Sequence, residues 1–194
     1  MGYESPMPVQ EEVIPFLLGA DNDVIALAQT GTGKTAAFGL PILQKIDVTT
    51  YQPQALVLCP TRELCLQIAD DLNDYSKYID NLKVLPVYGG SSIESQIKTL
   101  KRGVHVVVAT PGRLLDLMNR KTVDLSLVKN VIMDEADEML NMGFTDSINA
   151  ILAEVPENRN SSPGTWSSPR ASTAPIPQVW SLAPSPSCAP RPRA

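Results

Sequence analysis

Short apolar runs alternate with longer amphipathic stretches from Met1 to about Asn160. Val24–Ala28, Ala55–Cys59, Val84–Tyr88, Val104–Ala109 and Val131–Met133 are nearly continuous apolar segments of strand length. Between them, Lys34–Ile46, Glu63–Tyr78, Ser92–Lys101 and Pro111–Asn119 read as helices, while Ser126–Leu127 is too short to stand as one. Strands that are apolar throughout are buried on both faces, as in a parallel sheet covered by helices. The pattern therefore predicts an α/β domain built on a doubly wound parallel sheet with helices on both faces. Such sheets bind ligands beyond the carboxyl ends of their strands. Each chemically distinctive stretch of this chain falls at such an end.

The pattern stops at about Asn160. Residues 161–194 hold eight prolines and eight serines but no acidic residue and no lysine. A segment such as Ala183-Pro184-Ser185-Pro186-Ser187 suits neither a helix nor a central strand. Residues 161–194 are therefore expected to be disordered, a Pro/Ser-rich tail outside a folded unit of residues 1–160.

Composition adds limits. No apolar run approaches membrane-spanning length and no basic leader precedes one, so no membrane partner and a cytoplasmic location are expected. Cys59, Cys65 and Cys188 have neither metal-ligand spacing nor an even count for disulfides. Cys59 reads as a small buried hydrophobe, and His105, the one histidine, as a packed or edge residue. Residues 1–160 carry 13 basic against 21 acidic side chains, a net charge of −8. Diffuse attraction to phosphate is thus excluded, and any nucleic acid must be held by a few directed contacts.

The chemistry concentrates in Ala28-Gln29-Thr30-Gly31-Thr32-Gly33-Lys34-Thr35, which follows an apolar strand and opens a helix. Strand, glycine-rich turn and helix is the context a phosphate-binding loop requires. Residues Gln29, Thr30, Gly31, Thr32 and Gly33 would curl so that successive N–H groups face one anion. The helix N-terminus adds partial positive charge, Lys34 would reach the outer phosphates, and the Thr35 hydroxyl would ligate Mg²⁺. The plain alternative is a glycine-rich turn before an ordinary helix. Asp134-Glu135-Ala136-Asp137 follows the apolar Val131–Met133. At a buried strand's tip, Asp134 would hold Mg²⁺ through water and Glu135 would orient or deprotonate an attacking water. The plain alternative for this tetrapeptide is an acidic first helical turn; beside a phosphate loop, the metal-anchor reading prevails.

Other stretches stand in a fixed order around these two. Gly2-Tyr3-Glu4-Ser5-Pro6-Met7-Pro8-Val9-Gln10 comes first, Pro60-Thr61-Arg62-Glu63-Leu64-Cys65-Leu66-Gln67 follows the phosphate loop, and Gly89-Gly90 and Thr110-Pro111-Gly112-Arg113 precede Asp134. In this order and spacing the chain, over about Gly2 to Asn160, resembles the first RecA-like domain of a DEAD-box ATP-dependent RNA helicase. The resemblance implies a P-loop NTPase fold with ATP and Mg²⁺ as cofactors, and Lys34 and Glu135 in catalysis. It implies that Tyr3 stacks on the adenine and Gln10 hydrogen-bonds its edge. It also implies a single-stranded or duplex RNA partner gripped by its sugar-phosphate backbone, through Pro60, Thr61, Arg62, Gly89, Gly90, Thr110, Pro111, Gly112 and Arg113. A guanidinium just after a strand can fork onto phosphate oxygens, and such contacts carry little base preference. Singly, each of these stretches is ordinary turn punctuation.

The chain also departs from that family. Cys65 stands where the family usually has Ala, and an aromatic residue well upstream of the glutamine is not in the sequence. Ser161–Ser167 occupies the place of an apolar strand ending in Ser-Ala-Thr. In the family that strand lies between the phosphate-loop strand and the Asp134 strand, so a gap at the centre of the sheet and an incomplete domain are expected. The second RecA-like domain is missing, so poor ATP turnover and no unwinding are expected of these 194 residues. The competing reading is a non-enzymatic or non-folding fragment with at most weak ATP or RNA binding. A different P-loop ATPase, such as a translocase, would not combine Pro60–Leu64 with Asp134–Asp137.

Overall fold

The computed structural model of the chain describes residues 5–19, 25–27, 31–156 and 178–183. Among them β1 (Ile25–Leu27), β2 (Ala55–Leu58), β3 (Val84–Val87), β4 (Val106–Ala109), β5 (Asn130–Asp134) and β6 (Gln178–Ala183) form one sheet. Every pairing is parallel, and the spatial order is β1-β6-β5-β2-β4-β3. The helices are α1 (Pro8–Gly19), α2 (Lys34–Lys45), α3 (Arg62–Tyr75), α4 (Ile93–Lys101), α5 (Pro111–Asn119), α6 (Ala136–Asn141) and α7 (Thr145–Glu154).

Period-two alternation along β2 divides the core into two layers. Ala55, Val57 and Cys59 face Phe38 and Ile42 of α2 and Ile68 and Leu72 of α3. Leu56 and Leu58 belong to the other layer, with Leu114 and Leu117 of α5, Met139 of α6 and Ile151 of α7. Both faces of the sheet are therefore covered, which is why β2 and β4 are apolar and buried at every position. Helix starts follow local chemistry. The Thr61 side chain caps α3 by accepting from the Leu64 N–H at 3.2 Å, and Pro111 opens α5, where its missing N–H costs nothing. In α3 the buried Cys65, Ile68, Ala69 and Leu72 recur at helical spacing.

The expected strands and helices lie where the hydrophobic pattern puts them, within a few residues at each end. Helices α1, α6 and α7 were not anticipated, and Ser126–Leu127 is not helical. His105 is fully buried at the start of the β4 segment. Its Nδ1 accepts from the Lys83 N–H at 3.0 Å, which leaves Nε2–H to donate to the Val48 carbonyl at 3.2 Å.

One expectation is overturned. No gap stands at the centre of the sheet, because β6 lies between β1 and β5 and pairs with both. Residues 178–183 of the segment read as disordered therefore form a strand; residues 157–177 and 184–194 lie outside the described residues. The reason is local. Gln178-Val179-Trp180-Ser181-Leu182-Ala183 contains no proline, although Pro177 and Pro184 bound it. A strand slot between two parallel neighbours presents unpaired backbone donors and acceptors on both sides, and a proline-free extended segment satisfies them.

Candidate functional site

Of the phosphate-loop residues, Gln29 and Thr30 lie outside the described residues, as does Tyr3, so the loop is seen from Gly31 onward. Gly33 has φ 77° and is the N-cap of α2. A side chain there would be strained, and its Cβ would collide with Gln10 Nε2. Gln10 explains the tight fit. It is buried on α1, and its Nε2 donates to the Gly33 carbonyl at 3.1 Å while its Oε1 accepts from the Met7 N–H at 3.0 Å. The glutamine expected at the adenine is thus tied to the phosphate loop. Among the described residues each of its amide atoms makes one such bond, although the group can make more.

Lys34 follows directly and is buried, with 8% of its surface exposed. Asp134 ends β5, two strand positions from β1, so about 10 Å separates those strands across β6. Asp134 is 5% exposed, and its Oδ1 has no hydrogen-bond partner among the described residues. Burial pushes its carboxyl up to about 6; the Lys34 ammonium pulls against that shift and the Glu135 carboxylate adds to it. Glu135 holds φ 54° and ψ 47°, a left-handed conformation unfavourable to a side-chain-bearing residue, at the N-cap of α6. Strain of this kind collects at functional turns.

The donor set fits a Mg²⁺ ion. A buried carboxylate oxygen with nothing to bond is a group awaiting a proton or a cation. No three His, Cys, Asp or Glu side chains converge as a metal cage among the described residues. Mg²⁺ suits such a site, because it takes one or two carboxylates and completes its shell with phosphate and water. Thr35, the other expected ligand, is half-buried and hydrogen-bonded through its side chain to Asp71 of α3. Burial raises the Asp71 carboxyl, and the Thr35 bond works against that rise. No motif pointed to Asp71; only the packing of α3 on α2 brings it there.

The expected RNA-facing residues cluster at the ends of the adjacent strands β2, β4 and β3. Pro60 and Pro111 are buried, Thr61 and Thr110 are half-buried, and Gly89, Gly90, Gly112 and Arg62 are exposed. Gly90 turns the chain with φ 82°. The Arg62 guanidinium carbon lies 4.9 Å from the centre of the Tyr88 ring, a cation–π contact. Arg113 is half-buried, and its Nη1 donates to the Ser91 carbonyl at 3.2 Å and to Gln96 Oε1 at 3.1 Å. Thr110 is the N-cap of α5 without a side-chain capping bond, while its N–H donates to the Val87 carbonyl at 3.0 Å. Cys65 is fully buried, with its thiol donating to the Val108 carbonyl at 3.1 Å, so it replaces a smaller side chain without an orphaned polar group. Sequence reasoning missed Gln96. The signal was available, a polar residue on the buried side of an amphipathic helix just after the glycine doublet.

Comparison with known proteins shows the family and the fold. Residues 7–166 match the family model described as DEAD/DEAH box helicase. The ATP-dependent RNA helicase DeaD of Mycobacterium tuberculosis is 57% identical over 157 residues, which is 81% of this chain and 28% of that protein. DeaD of Escherichia coli is 50% identical over 157 residues, 81% of this chain and 25% of its own length. The DEAD-box ATP-dependent RNA helicase CshA of Bacillus cereus is 52% identical over 81% of this chain and 30% of its own length. The chain thus spans between a quarter and a third of these relatives. Among solved structures, a DEAD box protein from Methanococcus jannaschii superposes with a TM-score of 0.80 at 37% identity, over 98% of this chain and 46% of that one. A hypothetical ATP-dependent RNA helicase from Sulfolobus tokodaii gives 0.76 at 38% identity, over 95% and 48%.

Proposed function

The chain belongs to the DEAD/DEAH box helicase family, and from that premise we propose that it is the ATP- and RNA-backbone-binding part of an ATP-dependent RNA helicase. One observation carries the reading: the buried Asp134 carboxylate, whose Oδ1 has no hydrogen-bond partner among the described residues, lies at the same strand ends as Lys34 and the glycine turn. In this reading Gln29 to Gly33 turn N–H groups toward the phosphates, and Lys34 offsets the charge of the outer ones. Gln10 holds the turn through Gly33 and offers its remaining N–H and lone pair to the adenine edge, with Tyr3 stacked on the ring. Thr35 and Asp134 would hold Mg²⁺, which when bound neutralises phosphate charge as the bond to the leaving phosphate breaks. Glu135 orients the attacking water and takes its proton. Pro60 to Arg62, Gly89, Gly90 and Thr110 to Arg113 grip RNA phosphates and sugars without reading bases. A second RecA-like domain in the family supplies arginines to the nucleotide, so the 194 residues alone should bind it and turn over little. No helix among the described residues is long and apolar enough to cross a membrane; the proposed place of work is the cytoplasm.

The test is Mg²⁺-nucleotide binding and ATP turnover, with and without single-stranded RNA, by the chain and by Lys34→Ala. The expected result is binding that Lys34→Ala abolishes, with slow turnover. Equal binding by Lys34→Ala, or none by the unmodified chain, would overturn the proposal.

A further inference from the structure

Two arginines on separate loops can grip one nucleic-acid backbone only if the loops hold a fixed spacing. Arg62 starts α3 and Arg113 lies in the first turn of α5, and no bond between them is present among the described residues. What lies between them is Gln96. Its side chain belongs to α4 and is buried, with 6% exposed, and no other residue of that helix is buried. Its Nε2 donates twice, to the Tyr88 carbonyl at 3.1 Å and to Ser91 Oγ at 2.7 Å. Its Oε1 accepts from Arg113 Nη1 at 3.1 Å. Both amide hydrogens are thereby used, and the amide can sit only one way round, because the reverse would aim its NH₂ at a guanidinium.

The bonds close a chain of contacts across the three loops. Arg62 rests on the Tyr88 ring, Gln96 holds the Tyr88 carbonyl, and Gln96 also holds Arg113. Arg113 donates to the Ser91 carbonyl as well, so Gln96 and Arg113 together clamp the residue after Gly89-Gly90. Among the described residues Arg113 bonds through Nη1 alone, so the Nη2 edge of its fork can meet a phosphate. We propose that Gln96 is a positioning residue that sets the spacing of Arg62, the Gly89-Gly90 turn and Arg113 for one sugar-phosphate backbone. It touches no nucleotide itself. The inference rests on the proposed RNA-binding role of those arginines.

The experiment titrates the chain and its variants into fluorescently labelled oligouridine at several salt concentrations, with binding of a fluorescent adenine nucleotide measured on each sample. Gln96→Leu, which removes all three side-chain bonds, should weaken oligouridine binding about tenfold and lower the salt slope by about 0.7 for each arginine displaced. Nucleotide binding should stay as in the unmodified chain, a readout that general unfolding would not spare. In an Arg113→Ala background the same change should cost clearly less, because part of its effect acts through Arg113. Gln96→Glu keeps an acceptor for Arg113 but loses the donors to Tyr88 and Ser91, so it should weaken binding by a smaller factor. That variant decides the matter if Gln96→Leu also loses nucleotide binding. No oligouridine binding by the unmodified chain would overturn the RNA reading and this inference together. Binding by that chain with both Gln96 variants unchanged, or an equal cost of Gln96→Leu with and without Arg113, would overturn this inference alone.

Discussion

Asp134 concentrates the chemistry of this molecule in one side chain. Burial raises its carboxyl to about 6 even though Lys34 opposes the shift. The sign of the consequence is fixed. A carboxyl whose folded pKa is raised favours the folded state most below its unfolded pKa of 3.8, and that contribution is lost as pH rises to about 6. Above that range the carboxylate is charged beside the Lys34 ammonium and the Glu135 N–H, with Oδ1 still unbonded among the described residues, and a divalent cation would satisfy that oxygen. Mg²⁺-dependent nucleotide binding should therefore weaken about tenfold between pH 7 and pH 5, and Asp134→Asn should flatten that dependence; binding titrations at fixed Mg²⁺ across this range measure it. Gly33 is the second residue on which the site turns. Its positive φ and the Gln10 amide above it leave no room for a methyl group. Gly33→Ala should cost about 1–2 kcal/mol in urea unfolding and weaken nucleotide binding as well, whereas a mere surface turn would lose stability without losing affinity. The glycine turn, Lys34 and Asp134 stood out in the sequence because the roles proposed for them rest on residue type and spacing. Asp71 and Gln96 were not, since each acquires a partner only when separate helices pack.

At the scale of elements, β6 separates pattern from structure. A reading by composition averages residues 161–194 and finds proline and serine. The sheet uses six residues of that segment, and what it requires there is backbone pairing, since β1 and β5 each present a ladder edge. If β6 completes the sheet, a proline at Trp180 should remove a ladder N–H and cost about 3 kcal/mol or more. Circular dichroism melts of the chain and of Trp180→Pro should show a cooperative transition that the variant lowers sharply or loses. Unchanged melts would mean that the slot contributes nothing to stability. Strands β2 and β4 were legible because they are buried at every position and so apolar without interruption. Helices α6 and α7 were harder to see, because they follow the acidic turn at Asp134–Asp137 closely and each buries only two residues.

Across the whole molecule, charge and fold pull in different directions. Residues 1–160 carry a net charge of −8, which opposes long-range attraction to a polyanion, so in the proposed function the binding is carried by directed contacts from the loops after β2, β4 and β3. If Arg62 and Arg113 are the main phosphate contacts, the slope of log affinity on log salt for single-stranded RNA should lie near −1.4, at about 0.7 per contact. Oligouridine titrations between low and moderate salt measure it; a slope several times steeper would mean that a basic surface outside these loops carries the binding. The sequence alone determined the parallel α/β architecture, the phosphate loop and the family, because uninterrupted apolar strands and a glycine-lysine-threonine turn are local consequences of burial and of phosphate geometry. Only the tertiary structure decided that the sheet is closed at its centre, that Gln10 braces the phosphate loop and that Gln96 joins the two arginine loops. Each of these depends on backbone or amide groups from distant segments meeting, and a hydrogen bond between such segments leaves no periodic mark in the chain.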